Sequence, residues 1–163
     1  MIRYQKLHSP IGTLRVAEND AGLVAVLFEE QPPREGWLPV DELDSGAGDQ
    51  LRAYFEGELR AFDLPLAPRG TEFQRQVWQA VSTIPYGDTR SYLEIAESFG
   101  HGAAVRAVGA ANGKNPLPIV VPCHRVVGTD GSLTGYAGGF ARKRRLLELE
   151  QPGRYGPGPL FTN

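Results

Sequence analysis

Short apolar runs alternate with turn-forming residues over the first thirty positions of the chain. The runs at 4–7, 14–17 and 23–28 are separated by Ser-Pro-Ile-Gly at 9–12 and by an Asn- and Gly-containing segment at 18–22. Runs of this length, bounded by such residues, predict strands. We therefore expect a three-stranded antiparallel meander whose third strand, apolar throughout, is buried on both faces.

The pattern changes after this meander. Residues 31–48 are rich in Pro, Gly and acidic residues, which predicts a long surface connection. Over residues 49–59, apolar positions at 51, 54, 55 and 59 recur with helical spacing, which predicts a short amphipathic helix. Residues 62–68 contain two prolines, so we expect an extended segment outside the centre of a sheet.

The second half of the chain is predicted to be mainly helical. Thr71 is a good N-cap for a helix whose apolar stripe comprises Phe73, Val77, Trp78 and Val81 and which ends before Pro85. Residues 89–100 predict a second helix closed by Gly100, and a turn at His101-Gly102 leads to a third helix at 103–112. Two short helices joined by a glycine-containing turn have helix-turn-helix spacing, although any packed pair of short helices shares it.

Charge is distributed unevenly along the chain. The formal net charge of −2 argues against binding nucleic acid through overall positive charge. Residues 1–70 hold 7 basic against 12 acidic residues, whereas residues 71–150 hold 9 against 7, so the second half is the candidate partner-facing half. Its basic run at 142–145 either contacts phosphate or solvates one face of a helix.

Length and composition limit the remaining classes. With 163 residues, 41% of them hydrophobic, the chain has the size of one or two small domains with a real core. The single cysteine excludes an internal disulfide and a multi-Cys zinc site; His8, His101 and His124 are the other soft ligands, and we expect no metal and no cofactor. The residues after Met1 lack the apolar core of a signal peptide and no stretch reaches membrane-spanning length, so we expect a cytoplasmic protein without a membrane partner.

The most constrained stretch, residues 115–127, contains the single cysteine. Prolines on both sides of its apolar core fix the backbone ahead of Cys123, and the neighbouring His124 and Arg125 favour a thiolate, although a lone cysteine is often only a small core residue. Adjacent side chains point apart, so we expect His124 to act on the sulfur through a bridging water. Glu148 and Glu150 are the candidate acceptors that orient His124, and only one of them can serve, since residues two apart point in different directions.

These residues resemble a known family. The run Pro-Cys-His-Arg-Val at 122–126, preceded by Asn-Pro at 115–116 and followed by Gly-Tyr-Ala-Gly-Gly at 135–139 and Leu-Leu-Glu-Leu-Glu at 146–150, is similar to the methylated-DNA–protein-cysteine methyltransferases, the O6-alkylguanine-DNA alkyltransferases. The resemblance covers residues 71–150 in detail and the first seventy in layout only. It implies an α+β protein with a ribonuclease-H-like sheet-and-helix domain at 1–70 and a mostly helical domain with a helix-turn-helix at 71–163.

The resemblance also implies an activity and the residues that perform it. Cys123 would accept, irreversibly and once per molecule, the alkyl group of O6-alkylguanine, and of O4-alkylthymine, in duplex DNA after base flipping. His124 would be the base, oriented by Glu150, while Tyr92 would donate a proton to a guanine ring nitrogen and Asn115 would be a hinge. The implied partner is double-stranded DNA bound by a monomer, with cooperative binding left open.

Two further sets of residues follow from the same resemblance. Arg106 would fill the space of the flipped nucleotide, within an implied DNA-binding set of Arg106, Tyr92, Ala103, Ala104, Arg125 and Lys143. The implied guanine pocket comprises Val126, Tyr136, Ala137 and Gly138. Many relatives carry serine where this chain has Ala137, so the backbone donor is kept and the hydroxyl contact is absent.

Three alternatives remain at this stage. A relative that binds lesions without removing them carries tryptophan at the cysteine position, so Cys123 argues against it. A cysteine hydrolase using Cys123, His124 and a glutamate would turn over repeatedly. A plain helix-turn-helix regulator would need a dimer face and a more basic recognition helix.

Overall fold

The computed structural model describes residues 1–100 and 102–155. The chain divides into two compact units, one comprising Met1–Arg69 and the other beginning at Gly70. The turn predicted at His101 and the irregular tail predicted beyond residue 155 lie outside the described residues.

The first unit contains the predicted meander. Strands β1 (Arg3–Leu7), β2 (Leu14–Glu18) and β3 (Leu23–Leu27) pair in an antiparallel arrangement in this order, and β3 is buried except for the half-buried Val24. A fourth strand, β4 (Leu38–Pro39), pairs in parallel with β1 inside the segment expected to be a surface connection. It has two residues at the edge of the sheet, a place where a proline is tolerated, and too few residues to show a strand pattern.

Helix α1 (Ala47–Phe55) completes the first unit, with Leu51 and Tyr54 fully buried. It begins two residues before the predicted start and ends four before the predicted end. Gly48 permits a close approach to β1, since a Cβ atom there would lie 2.5 Å from Gln5 Nε2. The buried Gln5 accepts a hydrogen bond from the Leu43 N–H at 3.1 Å and so fixes the chain entering the helix.

The second unit starts with helix α2 (Glu72–Ser82), which has the predicted N-cap. Thr71 accepts a hydrogen bond from the Gln74 N–H while the Gln74 side chain accepts one from the Thr71 N–H, a capping box. The buried Trp78 donates its indole N–H to the Ala111 carbonyl at 2.8 Å. This bond ties α2 to helix α4 (Val105–Gly113).

The segment predicted as one helix at 89–100 is divided between a strand and a helix. Strand β5 (Arg90–Ser91) pairs in parallel with β6 (Val126–Val127), and helix α3 (Tyr92–Ser98) follows with Ser91 as its N-cap. The β5–β6 pairing places the first residue of α3 beside the segment that carries the cysteine. Gly100 has φ +80°, the left-handed conformation expected after a helix end.

The remaining elements frame the same segment. A 3₁₀ turn at Gly102–Ala104 precedes α4, a second 3₁₀ turn spans Cys123–Arg125, and helix α5 covers Phe140–Glu150. In the described part of the chain no helix is long and apolar enough to cross a membrane, and no three His, Cys, Asp or Glu side chains are grouped as metal ligands.

Candidate active site

A rigid turn presents Cys123. The Asn115 side chain donates to the Val121 carbonyl and accepts from the Leu117 N–H, both at 2.9 Å. Ile119, between them, has φ +77° and is buried, a strained conformation for a β-branched residue that holds only where its surroundings fix it. The prolines were the predicted source of rigidity; the structure adds the Asn115 side chain.

His124 and Glu150 meet in the interior. The His124 ring, 0% exposed, has Nε2 at 2.7 Å from Glu150 Oε2. Burial lowers the pKa of His124, so the ring is neutral and donates Nε2–H to the carboxylate. Among the described residues Nδ1 has no hydrogen-bond partner, so its lone pair is available to accept a proton.

Arg125 is the second partner of Glu150. Its Nε and Nη2 donate to the two carboxylate oxygens at 2.8 and 3.0 Å, and its Nη1 donates to the Ile84 carbonyl at 2.8 Å. Although burial raises the pKa of the Glu150 carboxyl, hydrogen bonds from His124 and Arg125 hold that pKa well below its usual range. The prediction that Arg125 contacts DNA is wrong, because the side chain is buried and its donors are used inside the protein.

The two candidate acidic residues on α5 have different surroundings. Glu148 accepts hydrogen bonds from the backbone N–H groups of Gly153 and Tyr155, at 2.6 and 2.8 Å. Glu150 accepts those of His124 and Arg125. Of the two, the structure therefore brings Glu150 to the histidine.

Lys143 is buried, contrary to the expectation that it contacts phosphate. Its side chain is 0% exposed, and Nζ donates to the Val126 and Thr134 carbonyls at 2.5 and 3.0 Å. Burial lowers the pKa of Lys143 to about 8, while the attraction of a thiolate at Cys123 raises it. The ammonium group therefore lies in the interior near Cys123. Within the basic run at 142–145, the exposed residue is Arg145.

The Cys123 thiol is 5% exposed, and burial raises its pKa to about 11. The side chains that lower this pKa are Asn115, through a hydrogen bond, and Lys143, through its charge. The sequence suggested His124 and Arg125 for this role, but both hydrogen-bond Glu150 instead. A thiol that is protonated at neutral pH needs a base before it can act as a nucleophile.

Tyr92 begins α3 and lies close to the same site. Its hydroxyl donates to the Thr134 carbonyl at 2.8 Å, and Lys143 Nζ lies 5.7 Å from its ring centroid. A Cβ atom at Gly135, which has φ +79°, would lie 2.5 Å from this hydroxyl, so only glycine fits there. Burial raises the pKa of Tyr92, as does a charge at Cys123, so the side chain remains a phenol that can donate a proton.

The other predicted residues lie on the loop before α5 and on α4. In the implied guanine pocket Tyr136 is half-buried, Ala137 is exposed, and the Val126 carbonyl accepts from Lys143. The Gly138 carbonyl accepts from Arg142 at 3.4 Å. In the implied DNA-binding set, Arg106 on α4 and Ala103 just before this helix are exposed, and Ala104 is half-buried.

Sequence reasoning missed Asn112. This residue of α4 is 2% exposed, and its Nδ2 donates to the Cys123 carbonyl at 3.4 Å. The available signal was a single amide in a helix otherwise made of Val, Ala, Gly and one arginine, at a position that packs inward with Val108.

Comparisons with known proteins show the family of this chain. Residues 72–152 match the family described as 6-O-methylguanine DNA methyltransferase, DNA binding domain, and residues 2–68 match its ribonuclease-like domain. The methylated-DNA–protein-cysteine methyltransferase of Mycobacterium tuberculosis is 55% identical over 154 residues, 93% of each chain. That of Methanosarcina acetivorans is 49% identical over 151 residues, 90% of this chain and 97% of the relative.

A solved structure matches as well. The crystal structure of Mycobacterium tuberculosis OGT in complex with DNA has a TM-score of 0.86 at 55% identity, covering 91% of this chain and 92% of that one. The ribonuclease-like match and the mixture of sheet and helices confirm the expected α+β fold class. The chain belongs to the methylated-DNA–protein-cysteine methyltransferase family.

Proposed function

We propose that this protein repairs alkylated duplex DNA by moving the alkyl group from O6 of guanine, or from O4 of thymine, to the sulfur of Cys123, once per molecule. The observation that carries the proposal is the buried series of Cys123, neutral His124 and ionised Glu150, in which His124 Nδ1 is left to accept a proton. The solved relative bound to DNA supports the choice of partner.

The chemical step needs a base and an acid, and the site offers both. His124 Nδ1 takes the thiol proton of Cys123 through one water, and the thiolate attacks the alkyl carbon. The bond between the alkyl carbon and the guanine oxygen breaks, and its electron pair remains on the guanine. Tyr92 donates a proton to a ring nitrogen of this departing guanine. The product is a thioether on Cys123, which has no leaving group for the reverse reaction.

Access to the base requires extrusion from the duplex, since the reacting oxygen cannot be reached within a stack. We assign DNA binding to α3 and α4 as a helix-turn-helix, with the small residues Ala103 and Ala104 allowing close approach to the minor groove. The exposed Arg106 then occupies the space of the flipped nucleotide. Arg125 and Lys143 are not part of this surface, since both are buried.

The acting species is proposed to be a cytoplasmic monomer that needs neither metal nor cofactor. The nucleophile, the general base and the acid in the step above are all side chains of this chain, and the nucleophile is a free thiol, which a reducing compartment preserves.

Intact-mass measurement tests the proposal. After incubation with duplex DNA containing O6-methylguanine, we expect the mass of one methyl group on Cys123 and no further reaction after one equivalent. Cys123→Ser is the control and should gain no mass. Absence of a mass gain in the unmodified protein, or repeated turnover, would contradict the proposal, and turnover would favour a hydrolase.

Running the same assay with Arg106→Ala tests base flipping. We expect a large loss of transfer from duplex DNA and little loss with the free base analogue O6-benzylguanine, which needs no flipping. Equal losses with both substrates would make Arg106 a structural residue.

A further inference from the structure

The segment between helix α2 and strand β5 contacts the buried pair of Arg125 and Glu150. Residues 85–88 form a turn in which the last N–H donates to the first carbonyl at 3.1 Å, and Gly87 within it has φ +81°. The sequence predicts only a helix end here, and the proposed reaction uses none of these residues. The turn nevertheless touches both members of the pair that lies beside His124.

Three groups of this segment surround the pair. The Ile84 carbonyl accepts from Arg125 Nη1 at 2.8 Å, and the Gly87 N–H donates to Glu150 Oε1 at 3.4 Å. The Tyr86 ring lies against the guanidinium group of Arg125, with Cζ 5.7 Å from the ring centroid, a cation–π contact. Of these three contacts, only the one with the ring is made by a side chain, so a substitution can remove it alone.

Burial strengthens the contact between the ring and the guanidinium group. Arg125 and Glu150 are each 6% exposed, so water screens their charges little. The ring therefore favours the position in which the guanidinium group donates to both carboxylate oxygens. The Tyr86 hydroxyl donates to the Leu149 carbonyl at 3.4 Å, a long hydrogen bond that contributes less than the ring.

His124 responds to both charges of the pair. Burial lowers the pKa of the His124 ring most, the Glu150 carboxylate raises it, and the charges of Arg125 and Lys143 lower it. A guanidinium group held on the carboxylate offsets part of the attraction of Glu150 for a protonated histidine. If that group moves away, the carboxylate stabilises the imidazolium more strongly, and His124 takes up a proton at higher pH.

We propose that Tyr86 is a positioning residue, whose ring holds the Arg125 guanidinium group on Glu150. In this position the pair keeps His124 neutral and able to accept the thiol proton. The inference rests on the proposed function, in which His124 is the base. Tyr86 acts through Arg125 and not on a reacting atom.

The experiment compares Tyr86→Leu, which removes the ring, with Tyr86→Phe, which keeps the ring and removes the hydroxyl. Single-turnover methyl transfer from duplex DNA containing O6-methylguanine is measured against pH at saturating protein. We expect Tyr86→Leu to shift the acidic limb of the rate profile upward by about half a pH unit, the size of effect that the loss of one cation–π contact gives. Tyr86→Phe should keep the profile of the unmodified protein.

NMR titration of the His124 ring follows the same protonation without DNA. Its midpoint should be higher in Tyr86→Leu than in the unmodified protein, and unchanged in Tyr86→Phe. Tyr86→Met is a second variant without the ring, with a flexible side chain that fills the space differently, and it should shift the midpoint as Tyr86→Leu does.

Ile84→Ala is the matched control. Ile84 is a buried residue of the same segment, and its carbonyl remains in the variant, so a cavity opens while the Tyr86 ring stays. The midpoint of His124 should not change. Equal shifts in Ile84→Ala and Tyr86→Leu would refute the inference, because water entering a cavity would then explain both.

Two further outcomes would overturn the role of the ring. One is an unchanged midpoint in both variants without the ring, and the other is a shift in Tyr86→Phe as large as that in Tyr86→Leu, which would assign the effect to the hydroxyl. If the unmodified protein transfers no methyl group, the proposed function fails, and the titration still shows whether Tyr86 controls the charge of His124.

Discussion

Arg125 and Lys143 are two buried basic side chains near the reactive cysteine, and the protein compensates their charges differently. Arg125 donates two hydrogen bonds to the Glu150 carboxylate and a third to a backbone carbonyl. Lys143 donates to two backbone carbonyls, and among the described residues no carboxylate pairs with it. Arg125 is thus neutralised by a fixed partner, whereas Lys143 retains an unpaired positive charge.

This difference separates a positioning role from an electrostatic one. The Arg125–Glu150 pair fixes the carboxylate that selects the His124 tautomer, and the hydrogen bonds of Arg125 go to Glu150 and to the Ile84 carbonyl. Lys143 lowers the pKa of the Cys123 thiol, and a thiolate at Cys123 in turn raises the pKa of Lys143. The Arg125–Glu150 pair therefore positions the general base His124, and Lys143 stabilises the Cys123 thiolate when it forms.

Glu150→Gln should have the largest effect, because it leaves the Arg125 guanidinium buried without its carboxylate. Breaking such a pair by removing one partner costs about 3–5 kcal/mol. Chemical denaturation measures this loss. Glu148→Gln on the same helix is the control, with an expected loss of about 1 kcal/mol, since that carboxylate is half-buried and accepts from the backbone N–H groups of Gly153 and Tyr155. Similar losses in both variants would show that the Arg125 pair adds no special stability.

Lys143→Met should be less destabilising, because it removes a charge without leaving another one unpaired. The Val126 and Thr134 carbonyls lose a donor, which costs about 1–3 kcal/mol in the free energy of unfolding. The thiol also loses a nearby cation, so its reaction with iodoacetamide should shift to higher pH. The exposed Lys114 provides the control Lys114→Met, which should change neither quantity. An unshifted pH profile in Lys143→Met would assign Lys143 a structural role only.

Helices of several turns, and strands marked by a long alternation of apolar runs and turn-forming residues, were predictable from the sequence. The meander and α2, including its Thr71 cap, follow from local patterns of apolar residues and capping chemistry. The two-residue strands β4 and β5 were not predicted, because a pair of residues carries no periodicity and these strands exist only through their partners. The residues of β5 fall inside the helix that the sequence predicts at 89–100.

The site was predictable in its reacting residues and less so in its supporting ones. Cys123 and His124 stand in a recognisable motif, but Arg125 and Lys143 were assigned to DNA because a sequence shows that a residue is charged and not that it is buried. Their partners include the backbone carbonyls of Ile84 and Val126, which have no signature in a sequence. Asn112 was missed because its partner is the backbone carbonyl of Cys123, a contact that a sequence does not show.

The smallest expected effect is on the pH dependence of stability. Lys143 has a pKa of about 8 in the folded protein and 10.5 as its ordinary value, so between these values the unfolded chain binds more protons and stability rises with pH. The Cys123 thiol has the opposite sign: its pKa is raised from 9.0 to about 11, so stability falls as pH rises through that window. The two contributions oppose each other above pH 9.

Replacing the thiol separates these contributions. In a Cys123→Ser background the free energy of unfolding should rise by about 1 kcal/mol between pH 8 and 9, since the protonated fraction of Lys143 in the folded protein falls from about one half to about one tenth there, while the unfolded chain keeps its proton. The double variant with Lys143→Met should show no such rise, because its only difference is the absent ammonium group. Urea denaturation at several pH values measures both curves. Parallel curves would mean that Lys143 keeps its proton throughout this window and is compensated as fully as Arg125, which would remove the contrast between the two cations.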